Sequence, residues 1–265
     1  MATKESETRA LKNTYSAPAL EKGFDVFEVL ASHPGGLTLT EIATELGRSI
    51  NELFRLVVVM EQRGYIRKAA DDRYVVTYRI LDLAHRATPV QDIAHAATAP
   101  MYDLAHAVLQ SCHLVVPGEG HGLVVLRQEN PGPTSFSVRV GAPIDLLASG
   151  SGNVILAFTD GDRMHGLFGR RKDEIAQMLA PIEPILERIR AQGHERRQSP
   201  MTHGVIDLSH PVFGFDGHLA AVLTIPFLER IDGSQPVSVD DSLVMLAASA
   251  RAISAELGWY GGDAD

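Results

Sequence analysis

The chain has one cysteine, one tryptophan and an aromatic content of only 6%. A single thiol, Cys112, excludes an internal disulfide framework and also a zinc site built from several thiolates. Long apolar runs are missing too. Residues 56–60 are typical of the longest, well short of the roughly 18 residues a membrane span needs. The opening stretch, MATKESETRALKNT, lacks the apolar core of a secretory signal, so a cytoplasmic protein with no membrane partner is expected. Basic charge is not in excess either, since the formal net charge is −9.

That average conceals an uneven distribution. Residues 1–85 carry 11 Lys/Arg against 12 Asp/Glu, whereas residues 86–265 carry 13 against 21. Nearly all the acidity is C-terminal, and a DNA-binding module needs only a local basic face. Catalytic signatures are also absent. The eleven histidines include no HExxH or finger spacing, and no G-x-S-x-G elbow occurs. His113, His203 and His210 fall near expected strand ends without ligand spacing, so no metal and no cofactor is expected. Cys112 and His113 are strand neighbours that point to opposite faces, which rejects them as a nucleophile–base dyad.

What is present is a sequence of helix caps. From Pro18, the residues Leu20, Phe24, Phe27 and Leu30 recur at helical spacing, and Pro34-Gly35-Gly36 ends that helix. Thr38-Leu-Thr-Glu41 is a capping box opening a second helix that stops at Gly47. Ser49-Ile-Asn-Glu52 reads as another, opening a third helix whose buried stripe is Leu53, Leu56, Val57 and Met60. Residues 65–68 and 73–77 then flank Ala-Ala-Asp-Asp as a hairpin. Two helices joined by a tight glycine turn, followed by a two-stranded wing, describe a winged helix-turn-helix. Its third helix turns Asn51, Arg55, Val58 and Gln62 outward, residue types that read base edges or hold phosphate. Ser49 at the cap and Arg67, Lys68 and Arg73 on the wing complete the candidate contacts to double-stranded operator DNA.

The expected organisation is a tail at 1–17, the winged helix at 18–79, a helical linker at 80–111, an α+β domain at 112–258 and a tail at 259–265. Within the linker, Pro89 marks a break and Pro100 the start of a new helix. In the α+β domain, 113–116, 122–128 and 135–140 read as strands, 152–158 and 173–191 as helical, 204–211 and 218–226 as a hairpin, and 240–257 as the last helix. Residues 148–153, Ala-Ser-Gly-Ser-Gly-Asn, open a helix with free amides that favour a small anion; no Lys-Ser/Thr follows, so this is not a nucleotide loop.

In order, these motifs resemble the isocitrate lyase regulator (IclR) family of transcription factors over about residues 18–258. Gln62-Arg63-Gly64-Tyr65-Ile66 is similar to the family's "RGY" before the wing, and VGAPIDLLASGSGNVILA at 140–157 to its "G…LPLHASGAGKALLA". Residues 189–193, IRAQG, with Gly204-Val205 and Pro211-Val212-Phe213 through Gly217, resemble its later signature. The resemblance implies a GAF-like effector domain for a small organic acid or aromatic compound, and operator binding as a homodimer or a dimer of dimers. It places effector contacts at Gly150 and Ser151, with Phe136, Ile144 and Val205 as apolar walls. Arg197 and Asp207 stand where many members have an acid and a cysteine, and Ser209 shares a strand face with Asp207. Asn51-Glu52 replaces a common Ser-Thr. The apolar face of Leu20, Phe24, Phe27 and Leu30 is expected to build the dimer. Two other readings remain: a regulator whose second domain has lost its ligand, and a small-molecule enzyme carrying a winged-helix interaction module.

Overall fold

Caps and glycine stops set the first helices where the sequence places them. The computed structural model describes residues 17–69, 71–87 and 90–261, and the chain divides into two units, 1–88 and 89–265. In the first, α1 (Pro18–Ser32), α2 (Leu39–Glu45) and α3 (Ile50–Gln62) precede a hairpin of β1 (Ile66–Lys68) and β2 (Tyr74–Val76), then α4 (Arg79–Ala87). The box at Thr38 is complete: its side chain accepts from the Glu41 amide, and Glu41 accepts from the Thr38 amide at 2.8 Å. The second box is only half made. Ser49 accepts from the Glu52 amide, but the Glu52 carboxylate turns away to Lys22 and Arg48. A cation was within reach, and an ion pair outcompeted the return bond.

The core of this unit is Val26, Leu30, Ile42, Leu53, Val57, Met60, Ile66 and neighbours. The expected single stripe on α1 therefore splits. Leu30 is buried, yet Leu20 and Phe24 stay 60% and 57% exposed while Val26 takes the inward place. They border an open groove of about 750 Å³ between α1 and α3, shared with Phe27, Leu56 and Val59.

The second unit opens with α5 (Val90–Val108), which continues straight through Pro100. The expected new start there is not seen. Burial of Ala97, Met101, Leu104, Ala105 and Val108 outweighs the hydrogen bond that a mid-helix proline removes. The expected break at Pro89 lies outside the described residues. Far from being a spacer, α5 forms part of this unit's core.

Six antiparallel strands form one sheet in the order β5-β4-β3-β8-β7-β6. They are β3 (Cys112–Pro117), β4 (Gly122–Gln128), β5 (Pro143–Ile144), β6 (Glu195–Gln198), β7 (Val205–Phe213) and β8 (Leu219–Leu228). The expected strand at 135–140 does not form. Backbone groups of Val124 pair instead with Gly141 and Ala142, and β5 pairs with Gly122 and Leu123, leaving the alternating stretch no ladder to join. One face of the sheet packs on α5 and α10 (Val239–Glu256). The other carries α6 (Gly150–Phe158), α7 (Gly161–Phe168), α8 (Lys172–Leu179) and α9 (Glu183–Gln192). The prolines at 181 and 184 interrupt the helical stretch through a short 3-10 turn at Ala180–Ile182.

Candidate DNA-binding surface and effector site

With Leu53, Val57 and Met60 inside, the opposite side of α3 shows Asn51, Arg55 and Gln62 exposed and Val58 half-buried. Among the described residues Arg55 has no acidic partner, and neither has Arg67 on β1. Ser49 is exposed but occupied as the cap. Lys68 holds Asp72 at 2.9 Å and stands 6.0 Å from the Tyr74 ring. Arg73 is half-buried and already engaged. Its guanidinium grips both oxygens of Glu41 at 3.0 and 3.1 Å and donates to the Gly36 carbonyl at 2.9 Å, tying the wing to the cap of α2. The Thr38 amide, the Thr38 hydroxyl and Arg73 together hold the Glu41 carboxyl below its usual pKa. Sequence reading missed Phe54, which is 53% exposed one turn from Asn51 and Val58. An apolar residue at that spacing was the available signal.

In the second unit, α6 begins at Gly150 under a Ser149 cap, whose side chain accepts from the Gly152 amide at 2.9 Å. The amides of Gly150 and Ser151 have no acceptor among the described residues. Gly152 is where the helix meets its own preceding loop; a Cβ there would lie 2.3 Å from the Asp145 carbonyl oxygen. Asn153, fully buried, donates to the carbonyls of Leu146 and Leu147 and accepts from Arg197 Nη1 at 3.0 Å.

β6 and β7 lie beside this helix start. A Cβ on Gly150 would be 3.1 Å from Asp207 Cβ and 3.6 Å from Glu195 Cγ. Arg197 faces Asp207 across the ladder, but its recorded hydrogen bond goes to Asn153. Burial pushes the Asp207 pKa up, against the opposing pull of the Arg197 charge and a Ser199 hydrogen bond. Glu195, with no exposed side-chain surface, is gripped by Arg188 at 2.8 and 2.9 Å. The all-polar strand β6 was not legible beforehand, because four residues reading Glu-Arg-Arg-Gln carry no strand pattern.

Gly150, Ser151, Arg197 and Asp207 thus meet, with Ser209 and Val205 on the same face of β7 by alternation. Phe136 and Ile144 do not join them. Phe136 lines a cleft of about 460 Å³ with Gln110 and Leu228, and Ile144 lines another beside Phe168 and Met178. Along the sheet, Ser209 Oγ and Thr224 Oγ1 are 2.9 Å apart, and His113 stands opposite Thr224. His113 is 3% exposed and its Nδ1 has no partner among the described residues. Burial lowers its pKa to about 4, so the ring is neutral. Burial also pushes the Cys112 thiol up to about 12, which removes it as a nucleophile at neutral pH.

Known proteins fit this arrangement. The family model for the IclR helix-turn-helix domain matches residues 19–70, and that for the bacterial transcriptional regulator IclR C-terminal region matches 85–255. The Escherichia coli K12 transcriptional regulator KdgR is 22% identical over 255 residues, covering 94% of this chain and 96% of its own. The crystal structure of Pseudomonas aeruginosa HmgR superposes with a TM-score of 0.71 at 26% identity, covering 92% of this chain and all of that one. An IclR homologue from Microbacterium hydrocarbonoxydans, solved with 4-hydroxybenzoate, gives 0.74 at 17% identity, covering 90% and 98%.

A winged helix with an open recognition face, followed along the chain by an α+β unit, is the architecture of a DNA-binding transcriptional regulator. The chain belongs to the IclR family of bacterial transcriptional regulators.

Proposed function

We propose that α3 reads operator DNA through Asn51, Arg55 and Gln62, and that a small carboxylate held at the start of α6 changes the affinity of that reading. The observation that carries the first part is the outer face of α3, where Arg55 is exposed with no acidic partner among the described residues. Asn51 suits adenine, and Phe54 beside it suits a thymine methyl. Arg67 and Lys68 supply phosphate contacts from the wing, whereas Arg73 braces the wing against the start of α2. The exposed Leu20 and Phe24 support pairing of two chains through α1. A symmetric pair reads two half-sites related by a dyad. On a selected operator, Arg55→Ala should weaken binding by about 1–3 kcal/mol in fluorescence anisotropy. Unchanged affinity would remove Arg55 from the interface, and a footprint on one half-site would remove the dimer.

For the effector, the free amides of Gly150 and Ser151 and the positive end of α6 favour an anion, with Arg197 as the neighbouring cation. The relative solved with 4-hydroxybenzoate supports an acid of that size. Asp207 opposes it. Because burial raises its pKa, the folded state disfavours the ionised form. Stability from this group is therefore complete below the unfolded pKa and declines as pH rises through the folded one. Asp207→Asn should accordingly stabilise the unit at pH 8 more than at pH 4, and tighten binding of a small carboxylate about tenfold or more at pH 8. Equal affinities in calorimetry at pH 8 would place the anion away from Asp207.

A further inference from the structure

The sheet face beneath α6 holds one ring that neither the fold nor the anion cradle employs. His113 is buried, and its Nδ1 meets no partner among the described residues. Its partner on β8 is Thr224, whose own partner on β7 is Ser209, so directly opposed side chains form one row across three strands. The two hydroxyls of that row are bonded to each other. One donates, which leaves the other's proton with no acceptor among the described residues. With Ser209 donating to Thr224, the spare hydroxyl proton of Thr224 and the unpartnered ring nitrogen of His113 stand on adjacent strands, with Cβ atoms about 5 Å apart.

Only a group that both accepts and donates closes that gap. A ligand hydroxyl can accept from the Thr224–Ser209 pair and donate to Nδ1, while a methyl or ring C–H satisfies neither. The row also lies at a fitting distance from the anion cradle. Gly150 packs over Asp207 and Glu195 on β7 and β6, and His113 is on β3, two strand spacings from β7, or about 10 Å. That span suits one hydroxylated ring or a short hydroxy acid with a hydrogen bond at each end.

We propose that His113, with Thr224, selects the effector by receiving its hydroxyl group, so that the ligand class is a hydroxylated carboxylate and not a plain one. This rests on the carboxylate reading of the α6 N-terminus. A site built around a hydroxyl rejects the analogue that lacks one, because its buried polar atoms are then left unpaired.

The test uses the full chain and two matched probe pairs, 4-hydroxybenzoate with benzoate and 4-hydroxybutyrate with butyrate, titrated by calorimetry at pH 7. The wild type should prefer the hydroxylated member of at least one pair by about a hundredfold or more. His113→Leu should bring that preference below about threefold while binding the plain acid as the wild type does. Thr224→Val, a change of similar volume, should reduce it as well. Equal wild-type affinity for the two members of both pairs overturns the role of His113 and leaves the carboxylate reading standing. So does an undiminished preference in His113→Leu, checked as folded by circular dichroism. If none of the four acids binds, the carboxylate reading fails and this inference fails with it.

Discussion

Replacing Gly152 with alanine is expected to destabilise the second unit by about 3 kcal/mol, the upper end of what overpacking costs. The added methyl would meet the Asp145 carbonyl oxygen at 2.3 Å and Leu146 Cα at 2.6 Å. Both are backbone atoms, so no side chain can rotate aside. Relief requires moving the start of α6 or the loop before it, and either displaces the amides of Gly150 and Ser151. Loss of small-acid binding should therefore accompany the loss of stability. Trp259 is the chain's single tryptophan and stacks on Phe213 at 4.7 Å, so its fluorescence reports this unit alone during urea unfolding. An unchanged midpoint in Gly152→Ala would contradict the tight approach.

Arg188→Ala is the second large effect. It strips Glu195 of both its short contacts, and Glu195 has no surface through which water could replace them. Breaking a buried pair by removing one member costs about 3–5 kcal/mol, and the partly exposed position of Arg188 favours the lower end. The charge, not the lost packing, should dominate. Adding Glu195→Gln to Arg188→Ala ought then to restore much of the stability in the same Trp259 measurement. A double variant as unstable as the single would assign the effect to packing.

The first unit was legible because its signals are local. A threonine three residues before a glutamate, a glycine at a helix end and a short polar run between two strands each act within a few residues. Helix boundaries here fall close to where those signals put them. Errors arose where a distant partner decided the outcome. Glu52 gave its capping bond to Lys22 instead, an ion pair that no local signal announces. Val26, not Phe24, took the buried place on α1.

In the second unit, the same reasoning recovered β3, β4, the hairpin and the final helix, whose apolar patterns are strong. It misjudged residues 135–140, since alternation is also what an unpaired segment can show when its would-be neighbour already has partners. The glycine segment that starts α6 was visible in sequence. The row His113–Thr224–Ser209 was not, because it depends on the register of three strands separated by up to 111 positions. Nothing near His113 in the chain announces that its neighbours will be two hydroxyls.

The sheet has no idle side. Along β7, Asp207 and Ser209 look toward α6, while Ile206 and Leu208 between them are embedded against the layer of α5 and α10. A strand is stiff across its own thickness, and the interior behind it is close-packed. Any shift of β7 or β8 that admits a ligand on one side is therefore a forced repacking on the other. That repacking falls first on α10, which lies against both strands, and through α10 on α5, the first helix of the unit and the one that lacks a hydrogen-bond rung at Pro100. The sheet would thus be both a partition between the proposed effector site and α5 and the plate that presses on α5 through α10.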